Sequence, residues 1–428
     1  MIHPTWSYSA TLYEMNIRQL TTEGTINAAR QRLPFLREMG IDALWLMPIY
    51  PIGGVDRKGT LGSYYSIADY CGVSSEFGTL EDFDAFLAEA HSLGFKVILD
   101  WVANHTARDA KWITERDADW YERDEQGEAL VPWDWSDTAK LNYANRDVWQ
   151  GQIDAMKFWI NRGVDGFRCD MAMLVPIEFW QEVSVALHAI KPDVFMLAEA
   201  EELNLFNRAF DACYAWELHH LMCDVAQGNR RANALKDHLY ASKGQYPRWA
   251  MKMTFTSNHD ENSWQGTEQS RFGAALEAMN VFTFVVPGSI PLIYTGQEVG
   301  YDHSFEFFDR DAIPESLYGA NATTELYRKL IEMKHSHTSL RGGEQGGEWY
   351  TINNNAEDCL LILVRETSED RIVAVMNMSP YTINACYNTG VFEGAYTNAL
   401  TGEDFYLPTY VDEVMGGWKY RVLSMKKK

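Results

Sequence analysis

The chain has no run of 18 uninterrupted apolar residues, no basic stretch beyond the short tail Lys426–Lys428, no C-x-x-C pair, and no low-complexity segment or internal repeat. The first absence excludes a membrane-crossing helix by the usual length rule. The second, with a formal net charge of −23, removes the attraction that phosphate backbones and anionic lipid headgroups require, so nucleic acid and membrane are not expected partners. The third leaves Cys71, Cys169, Cys213, Cys223, Cys359 and Cys386 without zinc-type spacing, and free, mostly buried thiols in a reducing compartment are expected. The opening segment, MIHPTWSYSATLYEMN, lacks the basic and apolar regions of a secretory leader. A cytoplasmic location is the expectation, although the mature form of a secreted protein reads the same way.

What is present is a globular composition. Hydrophobic residues make up 46% and charged residues 23%, which excludes disorder. The 428 residues exceed one small core and suit a barrel of about 250 residues or more with a second unit. Fifteen tryptophans are more than a core requires, and flat indole faces suit the apolar faces of sugar rings.

Short β-branched or aromatic runs alternate with helical patterns over the first 340 residues, which predicts parallel strands joined by crossover helices. Eight strands are expected, at Tyr13–Arg18, Ala43–Met47, Lys96–Trp101, Gly166–Asp170, Phe195–Ala198, Ala209–Tyr214, Met251–Thr256 and Ile290–Tyr294. Helical periodicity covers Ile26–Met39 and Leu80–Leu93, the latter opened by Thr79 with Asp82 three residues on. Eight repeats predict a closed (β/α)8 TIM barrel, whose chemistry sits on loops at the C-terminal strand ends.

A long connection, residues 106–145, carries Trp112, Trp120, Trp133 and Trp135 and reads as a small inserted unit after strand three, walling a cleft. After Arg341 short alternating runs separated by turns predict a C-terminal antiparallel β-sandwich. The expected division is residues 1–105 with 146–341 as barrel, 106–145 as excursion and 342–428 as sandwich.

Ionisable residues gather at the C-terminal ends of the predicted strands: Asp100 to His105, Arg168 with Asp170, Glu199, and Asn258 to Asn262. A carboxylate ending an apolar strand is costly without a partner or a task. Glycoside hydrolysis needs two carboxyl groups, one protonated to release the leaving oxygen and one charged to receive the sugar carbon. Arg168 and Asp170 face one side of a strand, so the guanidinium is expected to hold Asp170 ionised. Glu199 follows Phe-Met-Leu-Ala, apolar surroundings that suit a general acid. Glu201 shares its side, and a strand ending two residues later would give Glu201 the acid role instead. Asp260 is placed to bind sugar hydroxyls, His105 and His259 to donate to sugar oxygens, and Tyr65 to stack on a ring.

Together these segments resemble the α-amylase family of glycoside hydrolases over nearly the whole chain. Asp100 to His105 is similar to its D-x-x-x-N-H, Gly166 to Asp170 to its G-F-R-x-D, Glu199 to its lone acid and Phe255 to Asp260 to its F-x-x-N-H-D. The resemblance implies retaining hydrolysis of α-1,4-glucosidic bonds in starch, glycogen or maltooligosaccharides. Asp170 would be the nucleophile, Glu199 rather than Glu201 the general acid/base, and Asp260 the transition-state stabiliser. Arg168, His105, His259 and Tyr65 would line the subsite of the attacked glucose, residues 106–145 would be the family's domain B, and the sandwich its domain C. The same carboxylates would serve α-glucosidase or glucan-transferase activity, and a non-catalytic glycan-binding protein is the third reading. No cofactor is implied for the chemistry. The resemblance allows a structural calcium near Asn104, with Asp109, Asp117, Asp119, Asp134 and Asp137 as neighbouring donors; acidic residues of a solvated loop are the alternative reading of the same aspartates. Two positions depart from the family pattern. Met173 and Leu174 stand where many members carry Lys-His on the leaving-group side, and Tyr64-Tyr65-Ser66 lacks the G-Y-D of chain-end binders, which favours internal cleavage.

Overall fold

A computed structural model describes residues 3–427. The chain begins with β1 (Leu12–Met15), β2 (Ala43–Leu46) and β3 (Lys96–Val102), then β4 (His105–Ala107) and β5 (Thr138–Lys140), which pair with each other. There follow β6 (Gly166–Asp170), β7 (Phe195–Ala198), β8 (Ala212–Tyr214), β9 (Met251–Thr254) and β10 (Ser289–Tyr294). Eight of these close into a parallel barrel in the order β1-β10-β9-β8-β7-β6-β3-β2.

All eight expected runs contribute a strand, Gly166–Asp170 and Phe195–Ala198 with the expected ends and the other six with altered ones. The first stops at Met15 because the chain enters a helical turn, Ile17–Leu20, and the sixth begins only at Ala212. The expected helix Ile26–Met39 is two helices, Ile26–Arg30 and Leu33–Met39. Pro34 lies at the start of the second; it has no N–H, and its ring would clash with the carbonyl four residues back in a continuous helix. The helix Leu80–Ser92 opens as expected with a reciprocal capping box between Thr79 and Asp82.

Alternation along the strands sorts side chains into two layers. Leu12, Ile98, Phe195, Leu197, Met251 and Met253 fill the barrel interior, while Tyr13, Leu99, Phe167, Cys169 and Met196 face the helices. The same parity turns Glu14, Asp100, Arg168, Asp170 and Glu199 inward, toward the C-terminal mouth. Gly166 at the base of β6 is required by close approach, since a Cβ there would sit 2.1 Å from the Phe195 carbonyl oxygen.

The C-terminal strands are β11 (Glu348–Thr351), β12 (Leu360–Glu366), β13 (Asp370–Asn377), β14 (Ile383–Asn388), β15 (Gly394–Asn398), β16 (Asp404–Leu407), β17 (Tyr410–Met415) and β18 (Tyr420–Lys426). Six form an antiparallel sheet, β11-β12-β13-β18-β15-β16, and the pair β14-β17 lies against it over a shared core of Ile362, Val373, Val375, Tyr387, Val411 and Leu423. The alternating runs read from sequence, Glu348–Ile352, Cys359–Glu366, Arg371–Met376, Ile383–Tyr387, Ala395–Asn398 and Lys419–Ser424, leave out β16 and β17, because Asp404, Asp412 and Glu413 interrupt their apolar residues. No helix among the described residues is long and apolar enough to cross a membrane.

Candidate active site

Arg168 organises the mouth of the barrel. In-register pairing of β3 with β6 sets Asp100 beside it, and β7 follows on the other side. The fully buried guanidinium contacts Asp100 Oδ1 through Nη1 at 2.9 Å, Asp170 Oδ1 through Nη1 at 3.2 Å, and Glu199 Oε2 through Nη2 at 2.9 Å. Its Nε donates to Tyr214 Oη at 3.0 Å. The approach to Glu199 is an ion pair out of line with the N–H bonds, so that Nη2 has no aligned hydrogen-bond acceptor.

Two expectations about the carboxylates need correction. Glu199 is not surrounded only by apolar groups, because beside Arg168 it accepts the Met171 backbone N–H at 2.9 Å. Met171 adopts a left-handed backbone, φ 42 and ψ 45, which aims that N–H across to β7. Nor does Arg168 simply hold Asp170 ionised. Burial and the neighbouring Glu199 push the Asp170 carboxyl well above the usual range, while Arg168, shared among three carboxylates, pulls the other way.

Glu201 is engaged elsewhere. Its Oε1 pairs with Lys252 Nζ at 2.7 Å and its Oε2 accepts the Glu217 backbone N–H at 2.7 Å, so it braces the loop after β7.

The two expected histidines differ in charge. Burial lowers His105 to about 4, leaving a neutral ring whose buried Nε2 has no partner in the protein. Burial also works against a charge on His259, but Asp260 and Glu14 outweigh it and raise the ring to about 9. His259 Nδ1 bonds Glu14, and its Nε2 lies 2.7 Å from Tyr65 Oη, which donates to Asp100 Oδ2 at 3.1 Å. Asp260 stands in the first turn of the helix His259–Gln265, its Oδ2 3.3 Å from His259 Nε2.

Tyr65, His105, Asp170, Glu199, His259 and Asp260 line one cavity of about 360 Å³, within the range of small-molecule sites. Arg168 lies beneath it, in contact with both carboxylates. Sequence reasoning missed Glu14 and the positioning role of Asp100, whose inward parity on apolar strands was the available signal. It also missed Lys58, Trp264, Phe307 and Phe308 in the lining, for which local sequence carried none. Of the four tryptophans in the long connection, Trp135 lines the cavity with exposed Trp133 against it at 4.7 Å, whereas Trp112 packs on Tyr70 at 4.8 Å and Trp120 is buried. Met173 is exposed and apolar.

The residues near Asn104 do not fit a calcium ion. The Asn104 side-chain Nδ2 lies 3.1 Å from His105 Nδ1, and the Asn104 backbone carbonyl accepts the Leu141 N–H. Asp109 Oδ2 accepts the Gly54 N–H, and Asp137 faces Lys58 Nζ at 3.5 Å. Among the described residues no three His, Cys, Asp or Glu side chains converge as metal donors, whereas calcium takes about six to eight oxygens.

This chain is similar to known proteins along its whole length. The alpha amylase catalytic-domain family matches residues 13–138 and 115–370. Alpha-amylase MalA of Haloarcula japonica is 28% identical across 94% of this chain, which spans only 61% of that relative's length. A noncanonic maltogenic alpha-amylase from Thermotoga neapolitana superposes with TM-score 0.89 at 27% identity, covering 99% of this chain and 100% of the other. An alpha-amylase from Lactobacillus plantarum gives TM-score 0.88 at 29% identity, covering 98% and 100%. With a family match over most of its length on this barrel, the chain belongs to the α-amylase family.

Proposed function

We propose that this protein hydrolyses α-1,4-glucosidic bonds in starch, glycogen or maltooligosaccharides with retention of configuration. The observation that carries the reading is one buried guanidinium touching two carboxylates, Asp170 and Glu199, under a single sugar-sized cavity. Mutual repulsion makes such a pair keep a proton, which is what one nucleophile and one acid together require.

Asp170 attacks the anomeric carbon and forms a glycosyl ester as the bond to the leaving oxygen breaks, and Glu199 supplies that oxygen's proton. Water then attacks the same carbon, gives its proton to Glu199 and releases the Asp170 carboxylate. Asp260 accepts hydroxyl hydrogens of the attacked glucose. Charged His259 and neutral His105 contact its other hydroxyls, and Tyr65 offers a ring face. Residues 1–105 with 146–341 carry this chemistry, 106–145 wall the cleft, and 342–428 form the separate sandwich. The six unpaired cysteines support a reducing, cytoplasmic setting.

A time course of products from maltoheptaose, with Asp170→Asn as control, tests the reading. Short oligosaccharides first released as the α-anomer, and none from Asp170→Asn, are expected. Products longer than the substrate would move the assignment to glucan transfer. No products from the wild type would overturn it in favour of glycan binding without catalysis.

A further inference from the structure

The lining of the cavity includes a contact that the proposed chemistry does not use. Lys58, in the connection after β2, lies with Nζ 3.5 Å from Asp137 Oδ1, just before β5. Asp137 is buried, its carbonyl accepts the Ser66 hydroxyl at 2.8 Å, and its second carboxylate oxygen has no partner in the protein. Both side chains line the cavity.

The segment carrying Lys58 is also tied to the loop after β10. Leu61 N–H donates to the Phe308 carbonyl at 3.1 Å and Thr60 N–H to Asp309 Oδ1 at 3.0 Å. Gly59 takes a left-handed backbone, φ +60, where a Cβ would stand 2.5 Å from the Phe308 side chain. Three connections, after β2, β3 and β10, therefore meet in one wall.

Barrel order says which part of a glucan meets that wall. Around the closed sheet, β1 lies opposite β7, and β2 and β10 flank β1. Glu199, which protonates the leaving oxygen, follows β7, so the leaving portion exits on that side. Glucose units on the non-reducing side of the attacked sugar extend the other way, toward Lys58 and Asp137.

Resting on the reading above, we propose that the Lys58–Asp137 bridge is an end wall that hydrogen-bonds hydroxyls of the terminal non-reducing glucose. An ammonium donor held by a buried carboxylate presents N–H groups to hydroxyls of a neutral sugar, and a wall there rejects a chain that continues past it. The enzyme then takes short units from chain ends. This departs from the internal cleavage that the missing G-Y-D favours.

The test compares nitrophenyl maltoheptaoside with the same compound capped by an ethylidene group on its non-reducing glucose. Wild type is expected to release one short product from the first time point and to prefer the free substrate by about tenfold or more in kcat/KM, the scale set by misplacing one or two buried hydroxyl contacts. Lys58→Met and Asp137→Asn, checked for wild-type Tm, are expected to erase that preference and give mixed products. Equal turnover of free and capped substrates by wild type, with mixed products, overturns the wall while leaving the hydrolase reading intact. A preference that survives in both folded variants overturns the assignment to these two residues. No cleavage of the free substrate overturns the hydrolase reading, and the wall with it.

Discussion

Nη2 of Arg168 lies 2.9 Å from Oε2 of Glu199, although the two residues stand on different strands and Arg168 is also bound to Asp100 and Asp170. One cation thus sets the spacing of three carboxylates. Arg168→Lys keeps the charge but not the planar fork, and a point charge on a flexible stem cannot reach all three. The expected result is a fall in kcat/KM on the order of 10²-fold or more, comparable to losing a preorganised electrostatic contact. Thermal denaturation checks that the variant is folded, and wild-type turnover in a folded Arg168→Lys protein would contradict the arrangement.

Glu199 and Glu201 give a sharper contrast. Glu199→Gln removes the proton donor and is expected to cost roughly 10²–10⁴-fold in kcat on maltooligosaccharides. Glu201→Gln weakens a brace to Lys252 and is expected to lower Tm while keeping most turnover. Steady-state kinetics on the two purified variants checks both, and the reverse ranking would transfer the acid role to Glu201.

Stability should fall as pH rises across the mildly acidic range. Burial raises Glu298 to about 7 and likewise Glu268 to about 7, above their unfolded value of 4.5. A raised carboxyl contributes in full below about 4.5, and its contribution is lost as pH rises through about 7, because the unfolded chain then binds fewer protons. Tm measured at fixed ionic strength from pH 5 to 8 is expected to decline, and Glu298→Gln, which stays neutral, to flatten the decline. An unchanged slope in Glu298→Gln would show that this group does not carry the effect.

Chelation should do little. Lys58 faces Asp137, and among the described residues no three His, Cys, Asp or Glu side chains converge as metal donors. EDTA followed by gel filtration is expected to leave Tm and turnover at their starting values. A Tm restored by added calcium after EDTA lowers it would reveal a site that these side chains do not suggest.

Several features were legible because they are local. Period-two alternation ending in Arg168 and Asp170, the apolar run before Glu199, and the Asn258-His259-Asp260 cap mark their own strand ends. They determine that a barrel forms and where its polar mouth lies, since alternation and burial act between neighbours in the chain. The break before Pro34 was readable too, yet apolar periodicity masked it.

What only the tertiary structure decided depends on residues far apart in sequence. It decided that Arg168 is shared with Glu199, that Glu14 joins the adjacent Asp260 in raising His259 while burial lowers His105, and that Glu201 is held by Lys252. It also decided that Lys58 meets Asp137 in one wall of the cleft. Charge state and partner choice follow from distance and burial, and closure of the barrel sets both by bringing the ends of separate strands together.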